Sequence, residues 1–379
     1  MKVIVRALKF LLFSAFYFPL GLFAQSVSGT TTQSASNSLV VGITPDSRSG
    51  ALGDAGVAIS PDVNANYWNP SKLAFVDKDA VSFSYNPWLQ RLVPDVSMAY
   101  LSYAHKLDDR NSIGLAMRYF NMGTIQLVDE NQQDQGSFKP NQFAFDASFA
   151  RKFGERFSLG LTMRYIHSTL INNSLDRLSG SAVAVDASLY YFDNVEEFGD
   201  NATFAFGTNV SNIGTKISYT SGGDRNFLPT NLKIGVANTW HLDEFNDLTL
   251  ALDFNKLLVP SLARDSSGNA IAGSTDNISV PAGIFRSFSD APGGFSGELK
   301  EITAGGGVEY WYNHQFALRA GYFYSNPMVD GRHYFTLGAG LKYDIFDLDF
   351  SYLAASQQNS PLSNTLRFTL SATFGGKKK

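Results

Sequence analysis

From residue 80 onward, apolar and polar residues alternate in one segment after another, the period of a strand with one greasy and one wet face. Within 156–168, Phe157, Leu159, Leu161, Met163 and Tyr165 fall on one face, and Ser158, Gly160, Thr162 and Arg164 on the other. The same alternation sets Phe143, Phe145 and Phe149 against Gln142, Asp146 and Ser148, and Val183, Val185 and Leu189 against Ala184, Asp186 and Ser188. Leu248, Leu250, Leu252 and Phe254 oppose Thr249, Asp253 and Asn255, while Leu366, Phe368, Leu370 and Phe374 oppose Arg367, Thr369, Ser371 and Thr373. Segment 96–106 is apolar on both faces and leaves its register open. In all, fourteen strands are predicted, near 80–87, 96–106, 111–121, 141–152, 156–168, 181–192, 200–211, 231–241, 247–257, 301–312, 314–324, 333–344, 346–354 and 365–374. They bracket the roughly 9–11 residues that a tilted strand needs to cross a bilayer.

Connection lengths alternate too. Leu107–Arg110, Phe153–Glu155, Leu242–Asn246, Asn313 and Ile345 are short links, whereas Met122–Pro140, Thr169–Gly180, Asn212–Thr230 and Leu258–Lys300 are long. Outer-membrane barrels sort their turns this way, tight on the periplasmic side and long outside, and a soluble sandwich has no reason to. The predicted fold is therefore all-β, a 14-stranded antiparallel transmembrane β-barrel over 80–374. Its wet faces carry Arg118, Arg164, Lys233, Arg319, Lys342 and Arg367 with Asp146, Asp186, Asp253, Glu309 and Asp349. A charge facing lipid costs about 2–4 kcal/mol at the midplane, so these side chains are placed in the lumen, as pairs of mixed sign. Aromatic clusters at strand ends (Tyr119-Phe120, Tyr190-Tyr191-Phe192, Tyr310-Trp311-Tyr312, Tyr322-Phe323-Tyr324) read as interfacial girdles, although strands are enriched in aromatics anyway.

Composition sharpens the picture. The 379 residues include 31 Phe, 17 Tyr and 33 Gly with only 17% charged residues, an unusual balance for a cytosolic enzyme and a usual one for a membrane barrel. Thirty basic against 34 acidic residues give no basic excess for nucleic acid. The absence of cysteine excludes disulfides, thiolate metal sites and a cysteine nucleophile. Residues 1–24 read as a signal peptide, with Lys2, Arg6 and Lys9 before the apolar run and cleavage after Ala24. A transmembrane anchor is the competing reading, set against the shortness of that run and its break at Pro19.

A flexible tail is predicted over 25–44, and a compact element over 45–79. There Gly50, Ala51, Gly53, Ala55, Gly56 and Ala58 allow close packing, and Asn69-Pro70 signals a turn or helix start. Such an element can be a plug in the lumen or an arm on the surface. Gly305-Gly306-Gly307, inside a strand pattern, marks a kink or a close approach to that plug. Residues 375–379 form a short C-terminal tail.

Catalytic signatures are not found. His105, His167, His241, His314 and His333 stand at no metal-ligand spacing, and neither GxSxG nor a P-loop occurs. No catalytic, cofactor or metal site is expected. Two outer loops are more apolar than solvation requires: one holds Trp88, Leu89, Arg91, Leu92 and Val93, the other Ile284, Phe285, Phe288 and Phe295. They are the candidate partner-binding surfaces, with folding back over the barrel mouth as the alternative.

The run Pro45–Phe75, with LGDAG at 52–56 and YWNP at 67–70, resembles the N-terminal signature of FadL-like outer-membrane proteins, and more closely the PorV subunits of the type IX secretion system of Bacteroidetes. The continuation Tyr85–Leu89, Leu92-Val93, Asp95–Leu101 and Leu115–Gly123 is similar to the same branch. The motif residues are Gly53, Gly56, Trp68, Asn69 and Pro70. The resemblance implies a FadL-like barrel with an N-terminal plug and a non-enzymatic role in the outer membrane. It implies as partners a giant translocon barrel, the C-terminal signal domains of exported cargo, a surface attachment complex with a sortase-like subunit, and outer-membrane lipid. The alternative on the same fold is a channel for uptake of hydrophobic small molecules. One departure is the GGKKK that follows Phe374, where barrels usually end on the terminal aromatic.

Overall fold

The computed structural model describes residues 41–88, 95–128, 133–171, 177–219, 225–262, 274–291, 293–327, 329–355 and 365–375. The leader, most of the tail and the terminal lysines expected from the sequence lie outside them. The strands are β1 (Asp79–Pro87), β2 (Val96–Lys106), β3 (Asn111–Met122), β4 (Ile125–Val128), β5 (Asp134–Phe138), β6 (Asn141–Lys152), β7 (Phe157–Ile171) and β8 (Arg177–Glu197). They continue with β9 (Asp200–Gly214), β10 (Asn231–His241), β11 (Asn246–Leu257), β12 (Thr303–Tyr312), β13 (Phe316–Tyr324), β14 (His333–Tyr343), β15 (Phe346–Ala355) and β16 (Thr365–Phe374). Fourteen close into an antiparallel barrel in sequence order, β16 pairing with β1 through Asp79↔Phe374 to Tyr85↔Phe368. The remaining two, β4 and β5, pair with each other in the long outer connection after β3.

Tight turns sit at one rim, and in two of them consecutive residues take left-handed backbone. Phe198-Gly199 (φ 55° and 84°) and Asn313-His314 (φ 53° and 51°) each put two residues at positive φ, whose twist matches that of the flanking strands. Both ends of the barrel strand order, Asp79 and Phe374, lie at this same periplasmic rim. Strands β7, β8 and β9 outrun the predicted 156–168, 181–192 and 200–211. Pairing continues beyond the predicted segments at both rims, through Leu170↔Leu178 at one and Asn194↔Thr203 at the other.

Period two governs the faces throughout. In β7, Leu161 and Met163 stand out to lipid while Ser158, Thr162 and Arg164 are buried within. The aromatic clusters obey the same parity and so cannot be girdles in full: Tyr119, Tyr191, Tyr322 and Tyr324 face outward, but Phe120, Tyr190 and Phe323 are buried in the lumen. Lys342 has the inward parity yet lies at the open periplasmic end, where it is half exposed and 3.7 Å from Asp347.

Candidate functional site

The lumen is filled by residues 41–75, most of which are buried. Helix α1 (Ser47–Gly50), helix α2 (Ala65–Trp68) and a 3-10 turn (Pro70–Phe75) are too short to persist alone, so their backbone groups are satisfied by caps and by the wall. Asp46 caps α1 by accepting from the Ser49 amide at 2.8 Å, and its other oxygen accepts from Trp68 Nε1 at 2.6 Å. Burial, then the charge of Asp62, pushes the Asp46 carboxyl above its ordinary range, against the pull of those donors. Asn69 caps the 3-10 turn and donates to the carbonyls of Val57 (3.0 Å) and of Leu189 in the wall (2.9 Å), while Pro70 starts it without a wasted amide. One motif residue therefore ties plug to plug and plug to barrel.

Charge pairs predicted for the lumen do hold it together, but partly through a plug residue. Arg48 places Nε 2.9 Å and Nη2 2.8 Å from Glu309 on β12, and Nη1 2.9 Å from Asp62. Glu309 also accepts from Arg319 at 2.7 Å, which reaches Asp349 at 2.6 Å. On the opposite wall Asp146 lies between Arg118 (2.7 Å) and Arg164 (2.6 Å), and Arg164 continues to Asp186 at 2.8 Å. Asp253 accepts the amides of Gly56 and Val57 at 2.7 and 2.9 Å. Lys72 donates to the Gly56 carbonyl at 2.7 Å and is driven down to about 8 by burial.

Close approach explains the small residues. Gly53 sits at φ 68° with the Tyr322 carbonyl where a Cβ would stand, and a Cβ on Gly305 would meet the Gly53 carbonyl. The glycine run of β12 thus marks plug contact, as one of its two sequence readings proposed; Gly306, of outward parity, meets only Leu252 and Ala251. Gly56 lies directly under the Trp68 indole.

Above the plug, Val41 and Ile43 pack with Met98, Phe120, Ile166 and Leu228 at the outer mouth. Val41, Ile43 and Thr44, expected in the flexible tail, are buried with the plug because of this apolar cluster. Trp88 joins it and also packs against the group around Phe323 and Tyr334. It is half-buried there, its indole packed on this core with part of its surface still open. Leu89, Arg91 and Leu92 lie outside the described residues. A cavity of about 240 Å³ remains between plug and mouth, lined by Tyr67, Trp68, Arg118, Arg164, Lys233 and Asn255. Lys233 spans the two rings, its Nζ 4.3 Å from the Trp68 centroid and 4.7 Å from that of Tyr67.

The second predicted loop carries two helices, α3 (Val280–Arg286) and α4 (Phe295–Lys300). Ile284 is half-buried, whereas Phe285, Phe288 and Phe295 are exposed. Lys256, at an outward position of β11, donates to Glu298 and Glu301 at 2.7 Å each, so α4 is strapped to the outside of the wall and not across the mouth. Sequence reasoning missed Asp46, Arg48 and Lys72; their signal was charge placed among small residues in a segment too short to shield it. Among the described residues no three His, Asp or Glu side chains gather as metal ligands, and no helix is long and apolar enough to cross a membrane.

Solved structures similar to this one include a hydrocarbon channel, a toluene transporter and a FadL homologue. The monoaromatic hydrocarbon channel CymD aligns over 90% of this chain and 99% of its own, at 10% identity and TM-score 0.52. The P. putida toluene transporter TodX aligns over 92% and 99%, at 12% identity and TM-score 0.51. A Pseudomonas aeruginosa FadL homologue aligns over 88% and 98%, at 12% identity and TM-score 0.48. Identities this low carry the barrel fold and nothing about ligands. No curated protein matches the chain. Residues 27–264, well over half the sequence and including the whole plug, match the family described as type IX secretion system protein PorV. The chain belongs to the PorV family, outer-membrane barrels of the type IX secretion system with a FadL-like fold.

Proposed function

We propose that this protein is a carrier: it binds the C-terminal signal domain of exported cargo on its outer face and conveys it from the giant translocon barrel to a surface attachment complex with a sortase-like subunit. The observation that supports this most is the PorV match over 27–264, and the plugged lumen fits it. A carrier has no need of a conduit, and here the plug is bonded to opposite walls, through Ser102 of β2 to the Val63 carbonyl and through Asp253 of β11 to the Gly56 amide. Cargo then meets the outer rim, where Ile125 and Val128 of the β4–β5 hairpin and Phe285 of α3 are exposed. Uptake of hydrophobic small molecules has no such support, since CymD, a monoaromatic hydrocarbon channel, and TodX, a toluene transporter, share only the fold at 10% and 12% identity. Among the described residues each neighbouring pair of barrel strands runs in continuous register save one shift between Val185 and Ala187. In a deletion strain, cargo retained in the periplasm supports the carrier. Normal secretion with lost growth on a hydrophobic carbon source refutes it. A Val128→Ser, Phe285→Ser double variant is expected to capture about tenfold less cargo in a pull-down from solubilised membranes while the barrel still assembles.

A further inference from the structure

We infer that the groove between α3–α4 and the outside of β10–β11 seats an acyl chain of an outer-leaflet lipid. Its wall is Leu232, Ile234 and Phe254, which share the outward parity of Leu250 and Leu252; its roof is Phe288, Phe295 and Leu299. The space measures about 240 Å³. Three facts select the occupant. First, the groove opens from the lipid-facing surface and continues it, so hydrocarbon borders it already. Second, a water there needs two to four polar partners, yet the lining is mostly apolar and Lys256 at its end is already engaged with Glu298 and Glu301 at 2.7 Å each. Third, Arg286 and Lys300 are exposed on the two roofing helices and offer positive charge to an anionic headgroup. This inference is independent of the carrier reading and gives Phe288 and Phe295 a partner other than cargo.

Absence of cysteine makes the test clean, since Phe288→Cys and Phe295→Cys can each carry a single nitroxide in proteoliposomes. The ratio of oxygen access to access by a polar nickel chelate is expected to be about fivefold higher at both sites than at Glu244→Cys in a periplasmic turn. Chelate access equal to that at 244, or protection from both reagents as in a protein-packed groove, overturns the inference. Native mass spectrometry after incubation with dioleoylphosphatidylglycerol gives a second readout. Filling the groove by Ile302→Trp should cut the lipid adduct about fivefold, and Arg286→Gln with Lys300→Gln about twofold. Undiminished adducts in both variants reduce it to adventitious binding and overturn it.

Discussion

Met163 and Arg164 are consecutive in β7, yet one is 72% exposed to lipid and the other 4% exposed inside a bonded network. Comparing the two surfaces of this one sheet shows where its specificity lies. The outer surface is apolar and interchangeable, because any side chain that prefers hydrocarbon to water serves there. The inner surface is polar and particular. Each carboxylate there has named donors, and removal of one partner leaves the other buried and unpaired. The plug reads the inner surface only, through Arg48, Asn69 and the Gly56 and Val57 amides, and the loop helices read the outer one.

Breaking the comparison at its strongest point means Arg164→Ala, which leaves Asp186 without its cation and Asp146 with Arg118 alone. A loss of about 3–5 kcal/mol is expected, read as a lowered urea midpoint or failed assembly. On the other face, Met163→Arg should cost about 2–4 kcal/mol, whereas Met163→Leu should cost less than about 1 kcal/mol in the same assay. Equal effects of Arg164→Ala and Met163→Leu would erase the distinction. Trp68→Phe removes the donor to Asp46 and should loosen the plug by about 1–3 kcal/mol, measured as protease sensitivity of 41–75 with the barrel intact. The smallest effect is a pH dependence. Lys72 is held near 8 in the lumen and returns to about 10.5 when released. The released form therefore binds more protons between those values, so seating strengthens as pH rises from 8 towards 10.5, and the cost of the buried charge is full below 8. Lys72→Met should flatten that slope in urea-induced plug release.

Strand positions and faces were legible because alternation is local: Ser158 to Tyr165 declare their sides without help from the rest of the chain. What the aromatic clusters do was not, since parity splits Tyr190 from Tyr191 while composition sees one run. Nor could sequence seat the loop phenylalanines. Phe288 and Phe295 are as apolar facing cargo as facing lipid, and the deciding bond, Lys256 to Glu298, spans 42 residues. The plug motif was visible as glycine and Asn-Pro chemistry, but the lock between Arg48 and Glu309 crosses 261 residues and leaves no local trace.

A covalently locked plug tests the carrier account most directly. Ser47 Oγ and Thr369 Oγ1 lie 3.1 Å apart between plug and wall, and a Ser47→Cys, Thr369→Cys pair has no competing thiols. Cells carrying the oxidised pair should export cargo to the surface within about twofold of the reduced pair. Export that collapses on oxidation and returns on reduction would mean that the lumen must open, and would contradict a carrier that works from its outer face.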